Sequence, residues 1–226
     1  MAEGYSVADP AMSDCLEQFG AGRLPLHECA DVLGLDGLAL LLATDTGLPE
    51  PMLVHGPLTV PLEDLQLVHG RGPGPDAAQH GMTVLAPDLS DLVASRWTGL
   101  TPAIRSLGVA AVFAFPLRIG PVRIGALSGH RRAPGALTPP QLDGADALAD
   151  AAARAVLRQT AWLAGRADQA GLPFAAAHRA AGVLAVRLGG VSLEHAWLRL
   201  RAHAFRHDRS LLDTADAVLR DGLAGL

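Results

Sequence analysis

Seven arginines and four histidines lie in the last quarter of the chain, and these side chains are suited to binding an anion. Residues 171–226 carry seven arginines against five acidic residues, whereas residues 1–170 carry 11 against 18. Guanidinium groups bind phosphate oxygens and stack on exposed bases. By composition alone the pattern favours an ordinary solvated face, with an anionic partner as the alternative. This face comprises Arg179, Arg187, Arg199, Arg201, His203, Arg206, His207 and Arg209.

The remainder of the sequence lacks the patterns of catalytic and metal sites. It has no Gly-x-Ser-x-Gly, His-Glu-x-x-His or paired-carboxylate motif, so we expect no enzymatic activity. His55, His69 and His80 lack ligand-like spacing on a helix, so we expect no metal and no cofactor. The acids Glu63 and Asp64 fit the first turn of a helix and its solvated face.

The cysteine spacing and the lengths of the apolar stretches predict where in the cell the protein is located. Cys15 and Cys29 form no Cys-x-x-Cys pair, which predicts buried, reduced thiols. The first ten residues show no signal peptide, and the longest apolar stretch, Gly37–Ala43, is too short to span a bilayer. We therefore expect a cytoplasmic protein with no membrane partner.

Three amphipathic helices position the basic side chains. The first places apolar residues at spacings of three and four from Phe174 to Leu188 and ends at the glycine pair 189–190. The second begins after Ser192 as N-cap, and the third begins after Ser210 with Asp213 in the capping-box position. These helices predict one small core with a basic outer face.

The preceding segments predict an α+β domain with an antiparallel sheet. Gly/Pro-rich residues 69–77 are typical of a loop, and the turn at 119–121 predicts a hairpin between two strong strand signals. The predicted strands cover 37–43, 51–55, 82–85, 108–117 and 122–128. The predicted helices lie within 11–35, 61–68, 92–107 and 139–170.

The long helix predicted over 139–170 has a seam of small apolar residues at heptad-like spacing. Two interpretations fit this seam: it pairs two copies of the chain, or it covers the sheet of the first domain. Both hold if the two halves of the helix act differently. The seam comprises Ala145, Ala149, Ala152, Val156, Gln159 and Leu163.

The C-terminal segment resembles the ANTAR domain, the three-helix RNA-binding module of bacterial antiterminators. The resemblance rests on Ala180-Ala-Gly-Val-Leu184, Arg187-Leu-Gly189, Glu194-His-Ala196, Leu200-Arg201, Ala204, Leu211 and Ala215. Two positions depart from the family pattern. Ala181 stands where the family often has lysine, and Gly190 lengthens the first turn.

Residues 11–157 resemble a GAF domain, which implies a six-stranded sheet with helices on both sides. The resemblance is most specific at Leu65–Ala77 and Gly108–Gly120. In the family version that precedes ANTAR tails, the first segment usually carries an acid and a cysteine where Arg71 and Gly74 stand here. GAF domains bind small molecules or dimerise, so the resemblance implies a small ligand of unknown identity or self-association.

Together the two resemblances imply a division of the chain and a function. The expected parts are a flexible tail at 1–10, a GAF-like domain at 11–157, a connecting helix at 139–170 and an ANTAR domain at 171–226. The protein would be a signal-responsive antiterminator, a homodimer through the connecting helix, that binds tandem stem-loops in nascent transcripts. Arg179, Arg201, His207 and Arg209 are the predicted RNA contacts.

Two alternatives remain at this point. In the first, the C-terminal segment has lost RNA binding, and the protein acts in signalling through protein interactions. The lysine replaced by Ala181 and the small net positive charge favour this interpretation. The second is a DNA-binding helix-turn-helix regulator, but its recognition helix after Ser210 would carry Asp213 and Asp216 and only Arg220.

Overall fold

The fold centres on an antiparallel sheet in the computed structural model, which describes residues 9–44, 47–91, 96–158 and 172–221. Within that part of the chain the sheet has five strands in the order β2-β1-β5-β4-β3, against the six that the resemblance implied. The strands are β1 (Gly37–Leu42), β2 (Glu50–His55), β3 (Val84–Ala86), β4 (Ala111–Ile119) and β5 (Val122–Arg131).

The hairpin predicted from the turn at 119–121 is confirmed. Strands β4 and β5 pair antiparallel along almost their full length, with Ile119 opposite Val122 and Phe115 opposite Leu127. Gly120 adopts a φ of 57°, a left-handed conformation that glycine accepts without strain. Strand β1 lies between β2 and β5 with every residue buried, which explains its continuous apolar sequence.

Helices α1 (Pro10–Gly20), α2 (Leu26–Leu33) and α6 (Pro139–Arg158) contribute to the core on one face of the sheet. The predicted seam packs here: Ala145, Ala149, Ala152 and Val156 are buried in that core. The sheet-covering interpretation therefore holds for these four residues. Gln159 and Leu163 lie outside the described residues. Cys15 and Cys29 are buried in the same core as free thiols.

Helices α3 (Thr59–His69), α4 (Pro73–His80) and α5 (Leu100–Ser106) belong to the opposite side. The prediction of a loop over 69–77 was wrong, because α4 begins inside it. Pro73 occupies the first turn of α4, where its missing N–H costs no hydrogen bond. Gly72 precedes it with a φ of 143°, a conformation that glycine adopts readily. The glycine and proline residues that predicted a loop therefore form the start of a helix.

The last described residues form α7 (Ala175–Arg187), α8 (Leu193–Arg206) and α9 (Leu211–Asp221), which lie at the predicted positions. The Ser192 and Ser210 hydroxyls accept hydrogen bonds from the backbone N–H groups of His195 and Asp213, as the capping prediction required. These helices share a core with Leu48, Leu67 and Val68 of the preceding part. The predicted domain boundaries stay predictions, and most of residues 1–10 and 159–170 lie outside the described residues.

No helix within the described residues is both long enough and apolar enough to cross a membrane.

Candidate nucleic-acid interface

The solvent face of α8 carries a row of basic side chains, here called the α8 ridge: His195, Arg199, His203 and Arg206. Their spacing of three to four residues places them on one side of the helix. The row forms because another side of α8 is apolar and buried, through Ala196, Trp197, Leu200 and Ala204. Amphipathic packing of α8 thus orients the ridge toward water.

Short contacts order the ridge from one end to the other. The Arg199 Nε donates to the His195 Nε2 over 3.2 Å, and the His203 and His207 ring centroids lie 4.3 Å apart. His207 and Arg209 follow the end of α8, and both are exposed. Arg199, Arg206 and Arg209 form no ion pair with any carboxylate in the described part of the chain. Their guanidinium groups are available to an external anion.

His203 makes the charge of the ridge depend on pH. Partial burial lowers the pKa of His203, and the charges of His207, Arg209 and Arg206 lower it further. The ring is therefore neutral at neutral pH and gains a proton only under acid conditions.

The structure separates the four predicted RNA contacts. His207 and Arg209 extend the α8 ridge, and Arg179 is exposed on a different helix, α7. Arg201 points toward α3, where its Nε donates to the Leu67 carbonyl over 2.6 Å. Burial lowers the pKa of Arg201, and a Cβ at Gly70 would meet its guanidinium group. Arg201 thus anchors α8 to α3 in this arrangement.

Arg199 and Arg206 are not among the four predicted RNA contacts, although the sequence carries a signal for them. Both were part of the predicted polar face, and helical periodicity places them with His195 and His203. Ala181, which replaces a lysine of the family pattern, is 2% exposed and packs in the core of the three C-terminal helices. In this fold that position faces other side chains rather than solvent.

Asp64 of α3 caps α9 across the interface between the sheet-bearing part and the C-terminal helices. Its Oδ1 accepts from the Leu211 N–H over 2.7 Å, and its Oδ2 accepts from the Leu212 N–H over 3.1 Å. Asp64 is 4% exposed, and burial raises its pKa to about 6 although the two N–H donors oppose the rise. The prediction of a solvated acid was wrong, since its partners lie 147 and 148 residues away.

A second polar contact joins β2 to α7. The His178 Nε2 lies 2.6 Å from the Glu50 Oε2, and the His178 ring stacks on Trp197 at 4.6 Å. Glu50 is buried, whereas His178 is about half exposed. Asp64, Arg201 and this pair each attach the C-terminal helices to the rest of the described chain.

A buried hydrogen-bond network occupies the space between the sheet and α3. The Ser128 hydroxyl donates to the Glu63 Oε1 over 2.9 Å, and the Gln66 Nε2 donates to the Glu63 Oε2 over 2.7 Å. The Gln66 Oε1 accepts from the Gly74 N–H over 2.9 Å. Burial raises the pKa of Glu63 to about 8, although the Ser128 bond opposes the rise. The prediction of a solvated Glu63 was also wrong.

Gly74, which stands where the family pattern has a cysteine, lies against the sheet. A Cβ at this position would come within 2.5 Å of the Leu41 Cδ1. The Leu41 side chain thus fills the space that a larger residue at 74 would occupy.

Comparisons with known proteins agree on the sheet-bearing part. The sequence profile of the GAF domain family matches residues 24–156. No curated protein matches this chain. The GAF domain of an Acinetobacter phosphoenolpyruvate-protein phosphotransferase is similar in structure, with a TM-score of 0.52 and 11% identity over 70% of this chain and 97% of that one.

A second similar structure comes from Sinorhizobium meliloti 1021. It is a domain of a protein described as a two-component sensor histidine kinase, with a TM-score of 0.50 and 22% identity. The similarity covers 66% of this chain and 95% of that chain. At these identities the two structures share a fold with this chain.

Proposed function

Since this chain belongs to the GAF domain family, we propose that it is a cytoplasmic, non-enzymatic regulator in which a GAF sensor domain controls RNA binding by the three C-terminal helices. The ANTAR resemblance supplies the form of the target, tandem stem-loops in nascent transcripts, and the outcome, transcription antitermination. A small ligand of the GAF domain or its self-association would carry the signal.

The observation that supports RNA as the target is the α8 ridge. Arg199 and Arg206 are exposed on one helix face, and Arg209 and His207 continue the basic surface beyond the end of α8. Arginines in such a row contact consecutive phosphates and stack on the unpaired bases of a loop. The proposed contacts are Arg199, Arg206, His207 and Arg209, together with the exposed Arg179 of α7.

Binding of two loops requires two ridges, so the proposal includes a homodimer. The seam of α6 packs on the sheet. The opposite face of α6 carries a second row of residues at spacings of three and four that the sheet does not cover: Ala147, Asp150, Arg154 and Leu157. Leu157 is half exposed, and Asp150 and Arg154 are of opposite charge. A second copy packed along this face of α6 would pair the two chains.

The test compares a variant of the ridge with a charge-matched control. R199A/R206A removes two guanidinium groups from the ridge, and R23A/R105A removes two exposed guanidinium groups that lie outside the C-terminal helices. Affinity for an RNA with two tandem stem-loops is measured across a salt series, beside a one-loop RNA and a duplex DNA of equal charge.

We expect R199A/R206A to weaken two-loop RNA binding roughly tenfold or more and to flatten the salt dependence by about two phosphate contacts. R23A/R105A should bind like the unaltered protein. If both variants lose the same affinity, the loss reflects only the change in net charge and not a contact of the ridge. If neither variant loses affinity, the ridge does not bind RNA and the proposal is wrong.

A protein-interaction role is the second candidate, because α8 also exposes apolar side chains. Leu198 and Phe205 are each 58% exposed and lie with Ala202 at spacings of four and three. RNA binding that is weak and equal to DNA binding would favour this candidate. The DNA-binding alternative has less support, because the N-terminus of α9 is occupied by Asp64 of α3.

A further inference from the structure

A cavity of about 550 Å³ opens between the GAF domain and the C-terminal helices. Its volume lies within the range of small-molecule sites in proteins. The walls are mainly apolar and come from both sides of the interface. They include Val60, Leu65, Val68, Leu107, Phe205 and Leu212.

The charged groups of the cavity are mostly negative. Three aspartates line it, Asp64, Asp208 and Asp213, and one arginine, Arg209, also lines it. His69 also lines the cavity, but partial burial and the nearby charge of Arg71 lower its pKa, which leaves the ring neutral at pH 7. A cation therefore matches the lining better than an anion or a neutral molecule.

The apolar walls favour an organic cation over a metal ion. Phe205 brings an aromatic ring to the cavity. This ring and the His69 ring form a T-shaped contact, with a distance of 5.2 Å between their centroids. Aromatic rings attract ammonium groups, and apolar walls accommodate a hydrocarbon body. In the described residues, no cluster of three or more His, Cys, Asp or Glu side chains could hold a metal ion.

We propose that this cavity binds a small organic cation, an amine with an aliphatic or aromatic body. The carboxylates of Asp208 and Asp213 face its ammonium group, and the side chains of α3 and α8 enclose its body. None of the four residues of the α8 ridge lines the cavity, although Arg209, one of the proposed RNA contacts, does. The cation site does not depend on RNA binding by the C-terminal helices.

The experiment titrates the full chain with three probes of nearly equal size by calorimetry. The probes are 2-phenylethylammonium, 2-phenylethanol and 3-phenylpropionate. We expect the ammonium probe to bind at least about tenfold more tightly than the alcohol or the carboxylate. Equal binding of all three would show an apolar cleft without charge selectivity and would overturn the assignment.

Two variants locate the bound probe. D208N/D213N removes two charges of the lining, and asparagine at 208 tolerates the φ of 50° found there. V60F fills the cavity from α3. We expect D208N/D213N to weaken ammonium binding roughly fivefold to tenfold and V60F to abolish it.

Matched controls alter residues outside the cavity. D14N/D216N removes two exposed carboxylates, and V186F enlarges a side chain that is 78% exposed on α7. Both controls should bind the ammonium probe like the unaltered chain. The proposal is wrong if no probe binds, or if D208N/D213N and D14N/D216N weaken binding equally while V60F leaves it unchanged.

Discussion

Glu63 is a buried carboxyl group whose hydrogen-bond partners, Ser128 and Gln66, carry no charge. Burial raises its pKa from the ordinary 4.5 to about 8. Between these values the folded chain keeps a proton that the unfolded chain releases. The fold therefore loses stability as the pH rises through this interval, because deprotonation favours the unfolded state.

Other buried groups confine the test to a narrow pH window. Burial lowers the pKa of His130 from 6.5 to about 4, so this residue costs stability only as the pH falls below 6.5. Asp64, with a pKa of about 6, has mostly lost its proton by pH 6.5. From pH 6.5 to 8 the change therefore comes mainly from Glu63.

We predict that the free energy of unfolding falls by about 1–2 kcal/mol between pH 6.5 and 8. In E63Q the glutamine does not titrate, so this fall should disappear. Urea denaturation at several pH values measures it, with exposed Glu17 changed to glutamine as the control. A fall of the same size in E63Q would assign the pH dependence to another group.

At the scale of elements, the contact of α4 with the Leu41 side chain of β1 depends on the missing side chain of Gly74. The added methyl group of alanine would meet the Leu41 Cδ1 at 2.5 Å, in a strand whose residues are all buried. Leu41 would have to leave its position, and overpacking of this kind costs about 1–3 kcal/mol.

We predict that G74A lowers the free energy of unfolding by about 1–3 kcal/mol, whereas G182A raises it by up to about 1 kcal/mol. Gly182 is also a helical glycine, but a Cβ there would meet no atom within 4 Å, so alanine adds helix propensity without a clash. Denaturant unfolding of both variants gives the comparison. Equal changes would show that Leu41 does not limit the size of residue 74.

At the scale of the whole molecule, buried polar groups of the GAF domain hold the C-terminal helices. Asp64 accepts two N–H groups of α9, and Arg201 of α8 donates to the Leu67 carbonyl. Leu48, Leu67 and Val68 add apolar contacts. Small three-helix units are only marginally stable alone, so packing on α3 stabilises the whole segment.

We predict that D64A exposes the first turn of α9. The substitution removes the acceptor of the Leu211 and Leu212 N–H groups and should lower the free energy of unfolding by about 1–2 kcal/mol. Hydrogen exchange at these two amides should become faster, together with exchange in α3.

S192A is the matched control, because it removes the N-cap of α8 without touching α3. It should cost about 1 kcal/mol and accelerate exchange at His195, leaving exchange in α3 as it was. If D64A and S192A affect α3 alike, Asp64 serves as a local cap and not as an attachment between the two parts.

Local sequence determined the helices, strands and turns wherever one interaction within a few residues decides the structure. The serines at 192 and 210 cap the helices that follow them, and the turn at 119–121 closes the β4–β5 hairpin. Apolar periodicity also located the buried faces of the C-terminal helices. These features depend on neighbouring residues, so the sequence contains their cause.

Only the tertiary structure decided which residues far apart in sequence bury or hydrogen-bond one another. Glu63 and Asp64 fitted a solvated helix start, yet β5 buries the first and α9 buries the second. In sequence Arg201 resembles the other arginines of its face, but in the fold its guanidinium group donates to the Leu67 carbonyl of α3. Burial, pKa and accessibility depend on which surfaces meet, and a one-dimensional pattern does not specify that meeting.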